Sequence, residues 1–195
     1  MMLKHVERLA RFMAVLGGIV LTLLVILTCL SVLGRGLNTF GHSAFLTSLS
    51  ESAAHALIAS GVGPITGDFE LVEAGIAFAI FAFLPYAQLH HAHATVDIFA
   101  ASFPHWFNRF LIVFWEFVLS AIILLLTWRL FAGMQGKMSN GEITFLLQFP
   151  VWWAYAASFV AAVTASIVAI YCAIARILDV VTGGSHLPHS EGAHH

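Results

Sequence analysis

Residues 12–33 read FMAVLGGIVLTLLVILTCLSVL, a run of 22 residues without a charged side chain. A hydrocarbon core about 30 Å thick is crossed by roughly 20 helical residues. A helix satisfies its own backbone polar groups over that distance, where lipid offers no partners. The run therefore predicts a membrane-spanning helix. It is too long for the apolar core of a cleaved signal peptide, so we expect it to be retained.

Three further stretches have the same character. Residues 151–175 are also free of charge, residues 71–89 contain one charged side chain, and residues 110–131 contain two. The whole chain is 60% hydrophobic and 9% charged, with a mean hydropathy of +0.92, which is far from a soluble domain. The sequence predicts an all-α integral membrane protein with four transmembrane helices. The predicted spans are 12–33, 71–89, 110–131 and 151–175.

The remaining residues are connections within one membrane domain, which we place at residues 1–181. The tail 182–195 has no apolar periodicity and is predicted to be disordered. The long outer loop 34–68 contains a helix-compatible stretch at 44–60, for which we predict an interfacial helix. Before the first span, apolar residues recur at helical spacing from Leu3 to Leu9, which predicts a short amphipathic helix along the inner surface.

The distribution of basic residues predicts the orientation in the membrane. With four spans, both termini lie on one side. Lys4, Arg8 and Arg11 precede the first span, and basic residues near spans favour the cytoplasmic side. We therefore expect both termini in the cytoplasm.

Charged side chains at membrane depth are costly and are usually paired. Glu70 and Glu73 are three residues apart, so they share one face at the outer end of the second span. Arg35 and Arg129 lie at the same level, and we predict a structural cluster of Glu73 with one of them. Glu116 lies about 10 Å into the membrane. A histidine at the exit of the second span and a basic group on another subunit are both open as its partner.

The sequence His90-His91-Ala92-His93 raises the question of a haem or a metal. Ligation of haem by two histidines needs facing ligands on separate helices, and the first, third and fourth spans contain no histidine. A zinc site of His90, His93 and Asp97 is the other option, but polar residues at a helix exit are the simpler interpretation. We predict no metal and no cofactor.

Nothing in the sequence indicates an enzyme or a nucleic-acid-binding protein. The chain has no catalytic triad pattern and no glycine-rich phosphate-binding motif. Its net charge is −2, and its eight lysines and arginines form no patch.

The last span carries a stripe of small residues at every fourth position, which would let helices approach closely in lipid. Its members are Ala157, Ala161, Ala165, Ala169 and Ala173. Packing within the bundle and docking of a second membrane protein are both open as its role.

Five features follow one another along the chain. Arg35 closes the first span, Phe69-Glu70-Leu71-Val72-Glu73 opens the second, His93-Ala94-Thr95-Val96-Asp97 follows its exit, and Gly141-Glu142-Ile143-Thr144 leads to Pro150-Val151-Trp152 at the head of the fourth. Within a four-span chain of this length, they resemble the small, DctQ-like membrane subunit of tripartite ATP-independent periplasmic (TRAP) transporters. The loop 34–68 is longer than this family pattern leads us to expect.

The resemblance implies the role of a scaffold in a bacterial inner membrane. Such a subunit pairs with a large membrane subunit that holds the substrate and sodium sites. A periplasmic solute-binding protein delivers the substrate, commonly an organic acid. By this analogy, His93, Asp97 and Glu116 would organise the inner end of the bundle, and the outer loops 34–68 and 131–149 would face the solute-binding protein.

Two other functions fit a small four-span chain. A membrane anchor subunit of a respiratory oxidoreductase would hold haem or quinone, which the lack of histidines inside three of the spans disfavours. A stand-alone small transporter or channel would need a polar path, and the first and fourth spans offer few polar side chains for one.

Overall fold

A computed structural model describes residues 2–43, 61–90 and 105–182, together with Ser48, Ser52, His55, Ile58 and Ala59. The described residues contain four long helices: α1 (Met2–Gly41), α2 (Asp68–Leu89), α3 (His105–Asn140) and α4 (Trp152–Thr182). Each is long and apolar enough to cross a membrane, which confirms the predicted four-span, all-α architecture. The interfacial helix predicted at 44–60 and the tail fall largely outside the described residues.

Helix α1 differs from the prediction at its start. It runs without interruption over 40 residues, about 60 Å, so the amphipathic segment before the first span is part of the same helix. Leu3 and Val6 pack against a buried cluster in the protein, whereas Leu9, on the same apolar face that we had assigned to the membrane surface, is exposed. The cluster consists of Ala10, Leu89, Val168, Cys172 and Ala175.

The four helices alternate in direction, so two ends can be defined. The Arg35 end carries Arg35, the start of α2 and the connection from α3 to α4. The His90 end carries the start of α1 and the end of α2.

Helix α4 is the centre of the arrangement. It contacts each of the other three helices, whereas α1 packs mainly on α2, and α3 packs mainly on α4. Of the most apolar stretch of α4, 44% is buried, compared with 11–17% for the other helices. Helices α2 and α3 therefore flank α4 without packing extensively on each other.

Small side chains explain why α4 takes the central place. Ala161, Ala165 and Ala169 are completely buried against residues of the other three helices. A methyl side chain lets two backbones approach closely, which brings more atoms into van der Waals contact in lipid. These three residues of the stripe are therefore used in packing within the chain, while Ala157 is exposed.

Helix α3 ends at a glycine for a conformational reason. Gly141 has φ +63°, a left-handed conformation that side chains disfavour. Its N–H donates to the carbonyl of Met138, and the N–H of Glu142 donates to the carbonyl of Lys137, each at 3.4 Å. This pair of bonds is the Schellman motif, which turns the chain back toward α4.

We expect Ala165→Leu to destabilise the protein by about 1–3 kcal/mol, because the added side chain would overfill the contact between α4 and α3. Ala157→Leu adds the same atoms at an exposed position of the same stripe and is the matched control. The check is thermal unfolding in mild detergent, followed by tryptophan fluorescence. Equal melting temperatures for the two variants would contradict the central position of α4.

Candidate functional site

At the Arg35 end, a polar network ties α1 to the start of α2. The guanidinium of Arg35 lies 3.9 Å from the carboxylate of Asp68. The same carboxylate accepts a hydrogen bond from the hydroxyl of Ser31, and that hydroxyl oxygen accepts the backbone N–H of Ile65 at 3.3 Å. Asp68 is therefore the acidic partner of Arg35, whereas we had predicted that Glu73 would cluster with Arg35 or Arg129. Glu73 is five residues further along α2, which turns it by about 140° around the helix, away from Asp68.

A second set of contacts ties α2 to the connection between α3 and α4, which we call the hairpin loop (residues 141–151). The carboxylate of Glu70 accepts the backbone N–H groups of Leu146 at 2.6 Å and Leu147 at 2.9 Å. Gly67 has φ +79°, and the side chain of Leu147 fills the space that a Cβ would need. The start of α2 thus holds the hairpin loop from one side.

The hairpin loop is closed by its own backbone hydrogen bonds. The N–H of Thr144 donates to the carbonyl of Phe149 at 2.9 Å, and the N–H of Val151 donates to the carbonyl of Glu142 at 3.0 Å. At its tip, Phe145 is 90% exposed. The loop therefore presents an aromatic side chain on an ordered backbone.

Pro150 and Trp152 of the sequence motif stand where the hairpin loop becomes α4. Pro150 pairs with Ile143 in an isolated bridge, and its carbonyl accepts the N–H of Trp153. A proline fits just before a helix because the helix has no partner for an N–H there. Trp152 is the first residue of α4.

Glu142 joins the hairpin loop to the last turn of α3. Its carboxylate accepts hydrogen bonds from the ammonium of Lys137 at 2.5 Å and the amide of Asn140 at 3.1 Å. These bonds, first that from Lys137, hold the pKa of Glu142 below its ordinary value.

A cleft of about 620 Å³ lies between α2, α3 and the hairpin loop, with α4 as its floor. Its polar lining consists of Glu70, Glu73, Lys137, Glu142, Thr144, Tyr155 and Ser158. The sequence predicted that Glu70 and Glu73 share a face, and both line this cleft. Arg129 is exposed and makes no ion pair with the residues that the structure describes.

At the other end, a buried hydrogen bond connects α2 to α3. The amide Nε2 of Gln88 donates to Oε1 of Glu116 at 2.6 Å, and the two residues are 1% and 5% exposed. Sequence reasoning considered a histidine or another subunit for Glu116 and overlooked Gln88. The available signal was a single amide side chain near the end of a span whose one charged residue is Glu73.

His93 and Asp97 lie outside the described residues, so their role stays a prediction. His90 is described, and its ring lies 4.2 Å from that of Tyr86. Over the described part of the chain, no group of three or more histidine, cysteine or acidic side chains is arranged to hold a metal.

The chain was compared with models of known families. The family model described as "Tripartite ATP-independent periplasmic transporters, DctQ component" covers residues 24–180. That range contains the Arg35 network, the hairpin loop, the cleft and the bond between Gln88 and Glu116. Neither the curated proteins nor the solved structures compared with this chain include a match.

We expect Glu70→Gln to loosen the hairpin loop, because a neutral amide has a single oxygen to replace two charge-assisted hydrogen bonds. The measurement is amide hydrogen exchange in nanodiscs, in which Leu146 and Leu147 should exchange several-fold faster. Glu73→Gln is the control, since Glu73 contacts neither amide. Unchanged protection of both amides in Glu70→Gln would show that the carboxylate does not hold the loop.

The stability of the hairpin loop should depend on pH through Glu142. Because the pKa of this group is lowered from 4.5 in the folded protein, its contribution is fully present above that value. It is lost as the pH falls through the lowered pKa. We therefore expect Glu142→Gln to increase the rate of amide exchange in the hairpin loop at pH 7. At a pH well below 4.5, the exchange rates of the variant and of the unmodified protein should be equal. A difference that persisted unchanged at the lowest pH would rule out this ion pair as the cause.

Proposed function

Because the chain belongs to the family of tripartite ATP-independent periplasmic transporters, DctQ component, we propose that it is the small scaffold subunit of such a transporter. In this role it pairs with a large membrane subunit. A periplasmic solute-binding protein delivers an organic acid or a similar small solute, and an ion gradient drives uptake. The family match over residues 24–180 is the observation that carries the proposal, and it favours this role over that of a respiratory anchor.

The polar groups of the described helices support a scaffold more than a conduction path. The hydroxyls of Thr22, Thr28 and Thr164 donate to backbone carbonyls of their own helices. Thr127 and Ser166 lie 2.8 Å apart and join α3 to α4. These side chains are used to complete and connect helices, so a stand-alone channel gains no support from them.

We propose a bacterial inner membrane location with both termini in the cytoplasm. Lys4, Arg8 and Arg11 at the start of α1 favour this orientation. The Arg35 end then faces the periplasm, with the hairpin loop and the loop 42–67. The exposed Phe145 suits a contact with an arriving protein, because aromatic side chains are enriched in protein interfaces.

The proposal is tested by purifying the chain from its native membrane in a mild detergent and identifying the proteins that remain bound by mass spectrometry. We expect one much larger polytopic membrane protein in a fixed ratio, and a periplasmic solute-binding protein when its ligand is present. Recovery of the chain alone, or with a haem- or flavin-bearing partner, would contradict the proposal.

A further inference from the structure

The cleft between α2 and α3 reaches from the Arg35 end into the membrane-spanning part of the chain. Glu73 lies about 7.5 Å along α2 from its first residue, and Ser158 lies about 9 Å along α4. Both line the cleft. The cleft exists because α2 and α3 each pack on α4 and not closely on one another.

One carboxylate of the cleft has no polar partner among the described residues. Glu70 accepts two backbone N–H groups of the hairpin loop, and Lys137 is bound to Glu142. Glu73 is exposed and forms no hydrogen bond or ion pair with any described residue. A carboxylate within an apolar span is costly unless a positive group approaches it. The cleft therefore selects for a cation and against a phosphate.

The floor of the cleft has a second unsatisfied group. Ser158 is 1% exposed, and its hydroxyl has no hydrogen-bond partner in the described structure. Buried side-chain polar atoms in proteins are bonded in the large majority of cases. An occupant of the cleft would therefore supply a hydrogen-bonding group at its floor as well as a positive charge near Glu73.

We propose that the cleft receives an apolar transmembrane segment of the large membrane subunit, and that a lysine or arginine on that segment binds Glu73. This inference rests on the proposed function and adds the surface through which the two subunits meet. A volume of about 620 Å³ holds several side chains, as the face of a helix would supply. A basic side chain carries several N–H donors, which is enough for both the Glu73 carboxylate and the Ser158 hydroxyl.

The experiment is photo-crosslinking in the native membrane. Benzoylphenylalanine is introduced at Ala77, which lines the cleft, and as a control at Leu23, which is exposed on α1. From Ala77 we expect a cross-link to the large subunit, mapped by mass spectrometry to within one helical turn of a lysine or arginine in an apolar segment. Glu73→Gln should lower the yield at least about tenfold, because the partner's charge would be left unpaired.

A charge exchange adds a second readout. Glu73→Lys should abolish the cross-link, and replacing the mapped basic residue of the large subunit by glutamate should restore it. Failure of this rescue would overturn the proposed pairing.

The outcomes separate this inference from the proposed function. If Leu23 but not Ala77 captures the large subunit, the cleft is not the interface, although the proposed function stands. A phospholipid adduct from Ala77 that Glu73→Gln leaves unchanged would also overturn the inference. If neither position captures a membrane protein, the inference is overturned, and the purification from the native membrane decides separately whether the proposed function stands.

Discussion

The whole arrangement depends on a constraint that the bilayer imposes. Apolar side chains are as well solvated by lipid as by each other, so helices associate only where their backbones approach closely or polar groups bond. In this chain the close approach is provided by Ala161, Ala165 and Ala169 of α4. Because α4 supplies these alanines, α2 and α3 pack against it, while α1 packs mainly on α2. Because α2 and α3 both pack on α4 and not extensively on each other, a cleft remains between them.

Polar contacts then fix the two ends of the helices. Near the His90 end, the bond between Gln88 and Glu116 holds α2 and α3 together where their backbones stay apart. At the Arg35 end, Asp68 binds α1 and Glu70 binds the hairpin loop. Bonds at both ends resist the rocking and sliding by which transport domains move. These contacts suit a subunit that stays fixed while another moves.

The sequence predicted most of the fold and less of the site. The spans were readable because a helix in lipid needs an unbroken apolar run, and chain length sets its reach. Glu73 was predicted to cluster with Arg35 or Arg129, whereas Arg35 pairs with Asp68, since depth along the membrane does not determine which side of α2 faces α1. Gln88 was missed because neutral amides give no charge signal. The residues of the sequence motif at the hairpin loop were found, but the hydrogen bonds by which they close the loop depend on a loop fold that no periodicity encodes.

Whether this chain is the fixed scaffold of a two-part membrane assembly can be seen by electron cryo-microscopy of the complex purified from its native membrane. Maps would be compared for the inward-facing and outward-facing states of the large subunit. We expect α1 to α4 to superimpose in both states, with the Arg35 network and the bond between Gln88 and Glu116 intact, while the large subunit rearranges. A rearrangement of these four helices with the transport state, or a substrate bound among them, would contradict it.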